Sequence, residues 1–172
     1  SQANLPDTTI LKGSDNFNTK LYTGNDAATH AITGVGFAPN FIWVKRRSHT
    51  SNHFLVDSVR GGTKYLPAES SDAETDDNTV TKSLDSDGFT IGSYDGINGD
   101  GKTFVSWNWK GGSTVTNDTG SVDSQVNANA TAGFSVVTWT GTAGADTIGH
   151  GLGVAPELIF VKKRSASDNW LV

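Results

Sequence analysis

The stretch Gly96-Ile97-Asn98-Gly99-Asp100-Gly101-Lys102-Thr103 spells the phosphate-loop pattern G-x-x-x-x-G-K-[ST], in which backbone N–H groups cradle a nucleotide. That chemistry needs a buried strand before the loop and a helix after it, with the helix N-terminus meeting the phosphates. Here Thr103 opens an alternating aromatic stretch, and Asn98-Gly99 and Asp100-Gly101 are hairpin doublets, so the segment reads as turns. Asp85, Asp87, Asp95 and Asp100 stand close in sequence and could offer oxygen ligands to calcium, which takes about six to eight of them. The spacing and terminal glutamate of an EF-hand loop are missing, and aspartate is equally a turn former.

Catalytic groups are sparse. Glycoside hydrolysis asks for two facing carboxylates, yet the three glutamates, Glu69, Glu74 and Glu157, are scattered. His30, His49, His53 and His150 have no His-Glu-x-x-His spacing, and no nucleophile elbow surrounds a serine. Five tryptophans remain: Trp43, Trp107, Trp109, Trp139 and Trp170. Exposed aromatics can stack on sugar rings, whereas strand aromatics more often pack inside. Trp43 is expected in the core, and Trp170 and Tyr94 are the candidate glycan contacts.

The elements that would hold these residues are strands. The chain has 172 residues, 20 glycines, no cysteine and no methionine, and fifteen of its eighteen acidic residues are aspartate. Such a composition favours strands and polar turns over helices, and it rules out a disulfide framework or thiolate metal site. The missing initiator methionine reads as processing or as a cut from something longer. No apolar run is long enough to span a bilayer, and a net charge of −5 disfavours nucleic acid as a partner. The clusters Lys45-Arg46-Arg47 and Lys162-Lys163-Arg164 read as solvated edge protection.

Residues 17–55 align without a gap with 134–172, an offset of 117. Gly34-Val35-Gly36-Phe37-Ala38-Pro39 recurs as Gly151-Leu152-Gly153-Val154-Ala155-Pro156, and Phe41-Ile42-Trp43-Val44-Lys45 as Leu158-Ile159-Phe160-Val161-Lys162. Each copy reads as a strand, a glycine bend, Ala-Pro, then an apolar strand buried on both sides. Strands are expected near 18–23, 28–32, 40–46, 53–57, 80–84, 89–92, 103–110 and 121–127, with a loop over 69–78. Asp85-Ser86-Asp87-Gly88 reads as a type I turn closed by a left-handed glycine. Residues 103–110 place Val105, Trp107 and Trp109 on one face and Phe104, Ser106 and Asn108 on the other. The organisation is an arm at 1–15, a first module at 16–112, a connector at 113–132 and a partial second copy at 133–172. The fold class is all-β, an antiparallel sandwich, most simply a jelly roll.

The strings Asn18-Thr19-Lys20-Leu21-Tyr22-Thr23-Gly24, Ile32-Thr33 with the glycine bend, Asp57-Ser58-Val59-Arg60-Gly61, Asp85-Ser86-Asp87-Gly88-Phe89-Thr90 and Trp107-Asn108-Trp109-Lys110 carry a resemblance. Together they resemble a module of marine bacteriophage and cyanophage tail-fibre and other structural proteins, one similar to concanavalin A-like and laminin-G-like sandwiches. The resemblance implies virion structure or host-surface recognition, with no catalytic residue, and relatives that run on past the position of Val172. The expectation is a non-enzymatic, virion-surface or extracellular fibre protein, a homo-oligomer (a trimer by analogy with fibres) that meets other virion proteins and a host glycan. Alternatives are a carbohydrate-binding module of a secreted bacterial adhesin and a sandwich-fold polysaccharide hydrolase or lyase.

Overall fold

The computed structural model describes residues 12–172. The expected arm at 1–15 lies outside the described residues as far as residue 11, and Gly13–Asp15 forms a 3-10 turn. Period-two alternation and frequent turn residues produce twelve short strands among the described residues. They are β1 (Phe17–Thr23), β2 (His30–Thr33), β3 (Phe41–Arg46), β4 (His53–Asp57), β5 (Lys64–Pro67), β6 (Thr75–Asp76), β7 (Thr81–Asp85) and β8 (Gly88–Ile91). One helical turn, α1 (Asp95–Asn98), precedes β9 (Thr103–Trp109), β10 (Thr114–Asn117), β11 (Ser124–Asn129) and β12 (Phe134–Trp139).

The strands form three antiparallel sheets, ordered β1-β9-β3-β4-β5-β6, β2-β8-β7 and β10-β11-β12. The first two make a sandwich. Ile42, Val44, Phe54 and Val56 from the six-stranded sheet meet Ile32, Phe89 and Ile91 from the three-stranded sheet, with Val80 and Ile97 in the same core. The connector, expected to hold one polar strand, holds β10 and β11, and the second copy adds β12 beside them.

One expectation about faces is corrected. β3 is a central strand, but only Ile42, Val44 and Arg46 are buried, while Phe41, Trp43 and Lys45 alternate outward and are half-buried. β9 alternates as read: Phe104, Ser106 and Asn108 point into the sandwich and the tryptophans line the other face. Tyr22 stacks on Phe104 at 5.0 Å, and Asn108 Nδ2 donates to the Asn18 carbonyl at 2.9 Å, which satisfies part of the polar interior.

The glycine bends are real in both copies: Gly34 and Gly36 have φ of 80° and 92°, and Gly151 and Gly153 both have 74°. In the first copy the Asp87 carboxylate clamps the bend, accepting from Gly34 N at 3.0 Å and Gly36 N at 2.6 Å. Those two donors lower its pKa. Asp85 pairs with Gly88, which opens β8, and a Cβ at Gly88 would overlap the Ile32 carbonyl, so close approach requires this glycine.

The second apolar strand of the duplication is overturned as a buried element. Residues 158–163 make a single bridge, Val161 with Leu171, and Leu158, Ile159 and Phe160 are 64%, 55% and 58% exposed. Their equivalents in β3 are bonded on one edge by β9 and on the other by β4. No counterpart of β9 is among the described residues, so one edge stays open and no second layer covers the face.

Candidate functional site

The outward face of the six-stranded sheet collects the large aromatics, because β1, β9, β3 and β4 pair in register and alternate in phase. Three cross-strand rows result: Phe17–Trp109–Phe41–Asp57, Thr19–Trp107–Trp43–Leu55 and Leu21–Val105–Lys45–His53. Trp43 and Trp107 meet edge to face at 6.0 Å. The first row is capped by the second copy: Phe134 stacks on Trp109 at 5.8 Å and touches Phe41 at the same centroid distance. The β1 side stays open, with Leu21 57% exposed.

Polar groups fringe this apolar strip. Trp43 Nε1 donates to His53 Nδ1 at 2.8 Å, which requires that nitrogen to be unprotonated. Burial and the nearby Lys45 ammonium lower the His53 pKa, against an opposing pull from Glu69. Lys45 Nζ donates to the Ser51 carbonyl at 2.5 Å, and Ser51 Oγ donates to the Gly96 carbonyl at 3.1 Å. These bonds tie the strip to α1, where Tyr94 is 44% exposed and sets its ring edge on to Phe54 at 5.9 Å. The strip offers ring faces, a neutral imidazole and an ammonium, a combination that can stack on and hydrogen-bond a polyhydroxylated ring.

Of the sequence-derived candidates, Tyr94 is a surface aromatic that packs edge-on against core Phe54. Trp170 is half-buried, and its indole N–H donates to the Pro67 and Ser70 carbonyls at 3.2 and 3.1 Å. It therefore anchors the C-terminal copy to the first module. Trp43, expected in the core, belongs to the strip. The four aspartates are not assembled as ligands. Asp85 accepts from Ser83 and Thr90 hydroxyls, Asp87 clamps the bend, Asp95 pairs with Arg46 at 2.6 Å, and Asp100 is exposed. Among the described residues no group of three or more His, Asp or Glu could hold a metal ion. In the phosphate-loop lookalike the helical turn comes before the loop and a strand follows it. Asn98 is fully buried there, contacting Asn25 N, His30 Nδ1 and the Ala27 and Gly92 carbonyls.

One constellation had no sequence signal beyond isolated charges. Buried Asp57 pairs with Arg60, whose guanidinium also reaches the Leu55 carbonyl at 2.8 Å and Glu74 at 3.2 Å. Glu74 in turn takes a two-pronged bond from Arg164, both arms 2.8 Å. Burial alone would raise the Glu74 carboxyl, but the bonded Arg164 and then Arg60 outweigh it and hold its pKa below the ordinary value. The two basic clusters are thus not simply solvated, since Arg46 and Arg164 are committed to ion pairs.

The profile of a family described as a domain of unknown function (DUF7483) matches residues 12–172, running through the first sandwich, the third sheet and the second copy. No curated protein and no solved structure matches the chain.

Proposed function

The chain belongs to the DUF7483 family, and from that premise we propose that it is a non-catalytic viral appendage or virion-surface protein. In this reading it is a tail fibre or decoration fibre that presents β-sandwich modules for assembly and for contact with host-surface glycans. The carrying observation is the half-open strip of Trp43, Trp107 and Leu21 around buried Val105, fringed by His53 and Lys45. A pyranose presents an apolar C–H face that stacks on such rings, while its hydroxyls find the imidazole and ammonium. The resemblance of the sequence strings to phage fibre modules suggests the setting, and trimeric assembly enters by analogy. Hydrolysis draws no support: Glu74 is consumed by two arginines, and the Glu69 carboxylate accepts the His53 backbone N–H at 2.9 Å.

Glycan-array binding by the purified chain is the test. Binding should weaken at least about tenfold in Trp107→Ala, the loss of one stacking ring, and persist in Trp170→Ala. An array with no binder, together with antibody labelling that finds no virion or filament, would sink the proposal. The adhesin-module reading shares the same strip, and binding without any particle label would favour it.

A further inference from the structure

We infer that the saccharide taken by the aromatic strip is an anionic one, a uronate or sulfated sugar whose charged group meets Lys45 and Arg47, a reading that rests on the glycan site proposed above. The outward positions of β3 are Phe41, Trp43 and Lys45. Arg47 follows in the same phase, its N–H bonded to the Thr103 carbonyl at 2.7 Å where the ladder with β9 ends. The strip is therefore graded, with rings at one end and cations at the other. Successive outward residues stand roughly 6.8 Å apart, so a pyranose lying on Trp43 and Trp107 brings a ring substituent within reach of Lys45.

Edge protection does not account for these charges. β3 is bonded by β9 on one side and by β4 on the other, so its basic end guards no open edge. The three residues of the cluster are also placed differently. Arg46 turns inward, is 7% exposed and is bonded to Asp95. Lys45 is half-buried, and the Ser51 carbonyl holds its ammonium at 2.5 Å, a neutral acceptor that leaves the charge unbalanced and two protons to donate. Arg47 is exposed, and among the described residues neither Lys45 nor Arg47 has a carboxylate within ion-pair distance.

The neighbouring imidazole has the same sense. His53 Nδ1 accepts the Trp43 indole N–H, so the proton of the neutral ring sits on Nε2. Ammonium, guanidinium and this Nε2–H only donate, whereas carboxylate and sulfate oxygens only accept and carry the charge that the two cations lack. The acid at His53 is Glu69, and one of its oxygens is taken by the His53 backbone N–H at 2.9 Å. A bilayer fits the strip less well, because Val105 is buried and both tryptophans are half-buried, which leaves little apolar surface to insert. Two cations also suit one charged substituent better than a run of phosphates.

The experiment measures binding of the full chain to matched saccharides: a polygalacturonate and its methyl-esterified form, and a sulfated galactan and its desulfated form. A charged member should bind at least about fivefold more tightly than its neutral form, an advantage that shrinks as added salt screens it. Whichever charged series leads identifies the anion. Arg47→Gln, an exposed change that spares the core, should weaken binding of the charged saccharide about threefold, the worth of one exposed charge pair, and leave neutral saccharides as they were. Lys45→Gln should act in the same direction. Lys162→Gln combined with Lys163→Gln, in the other basic cluster, should change neither. Equal affinity for charged and neutral forms overturns the inference, as does an equal loss in the Lys162→Gln, Lys163→Gln variant, which marks adsorption of any polyanion. So does tighter binding of anionic-lipid vesicles or of a single-stranded oligonucleotide than of any saccharide. Binding of neutral saccharides without preference for charge leaves the proposed function standing, whereas binding of no saccharide at all ends both.

Discussion

His53 illustrates how one residue's surroundings set a measurable property of the aromatic strip. Its Nδ1 accepts the Trp43 indole N–H, and burial followed by the Lys45 charge pulls its pKa below 6.5. The folded state thus favours the neutral ring. The stabilising contribution is complete above pH 6.5 and is lost as pH falls through the lowered folded value. Tryptophan fluorescence should change over that acidic window, and His53→Phe should erase the transition. A midpoint above 6.5 would contradict the assigned contact. At this scale the sequence was partly legible. It singled out Tyr94 as a surface aromatic but placed Trp43 inside, because apolar composition does not reveal which face of a strand is covered. Trp170 carries the right chemistry for a sugar platform, and only its long-range bonds to Pro67 and Ser70 show another role.

Among elements, β3 and its copy at 158–163 separate propensity from context. The two segments share apolar positions, yet one is a central strand and the other bears a single bridge. Ile42→Ala should therefore cost about 2–5 kcal/mol by opening a cavity. Ile159→Ala should change stability by no more than about 0.5 kcal/mol, because its side chain meets water. Urea midpoints of the two variants check this, and equal losses would mean that the C-terminal copy is packed. Strand existence was legible wherever alternation was bounded by Gly, Asn or Asp, as in β1, β3, β4, β8 and β9. β5 was not, since Lys64-Tyr65-Leu66-Pro67 is short and ends in proline, a residue suited to few strand positions. β10, Thr114-Val115-Thr116-Asn117, is polar and exposed, so it carries no core-facing signal at all. The repeat itself was plain, but whether each copy would find its neighbours depends on segments far away in the chain.

At the scale of the described chain, a sandwich is joined to the C-terminal copy by a few specific ties. Phe134 stacks on Trp109, Trp170 bonds the β5 end, Asp168 N donates to the Ser71 carbonyl at 2.9 Å, and Arg164 grips Glu74. These ties bury far less apolar surface than the sandwich core, so the C-terminal copy should open at a lower free energy than the first module unfolds. Arg164→Gln cuts the tail's side of the ion pair and leaves Glu74 facing Arg60, a gentler lesion than stranding buried Arg60. Hydrogen exchange at 164–171 should rise in that variant, while Phe54, Val56 and Phe89 amides stay protected. The wild-type tie has a pH dependence of fixed sign. Because folding lowers the Glu74 pKa, its contribution is present above the carboxyl's ordinary 4.5 and fades as pH falls through the lower folded value. Acid should therefore release residues 164–171, provided the core holds at that pH. If instead 164–171 and the core amides lose protection together at one midpoint, the two parts form a single cooperative unit and the description as a sandwich with an attached C-terminal copy is wrong.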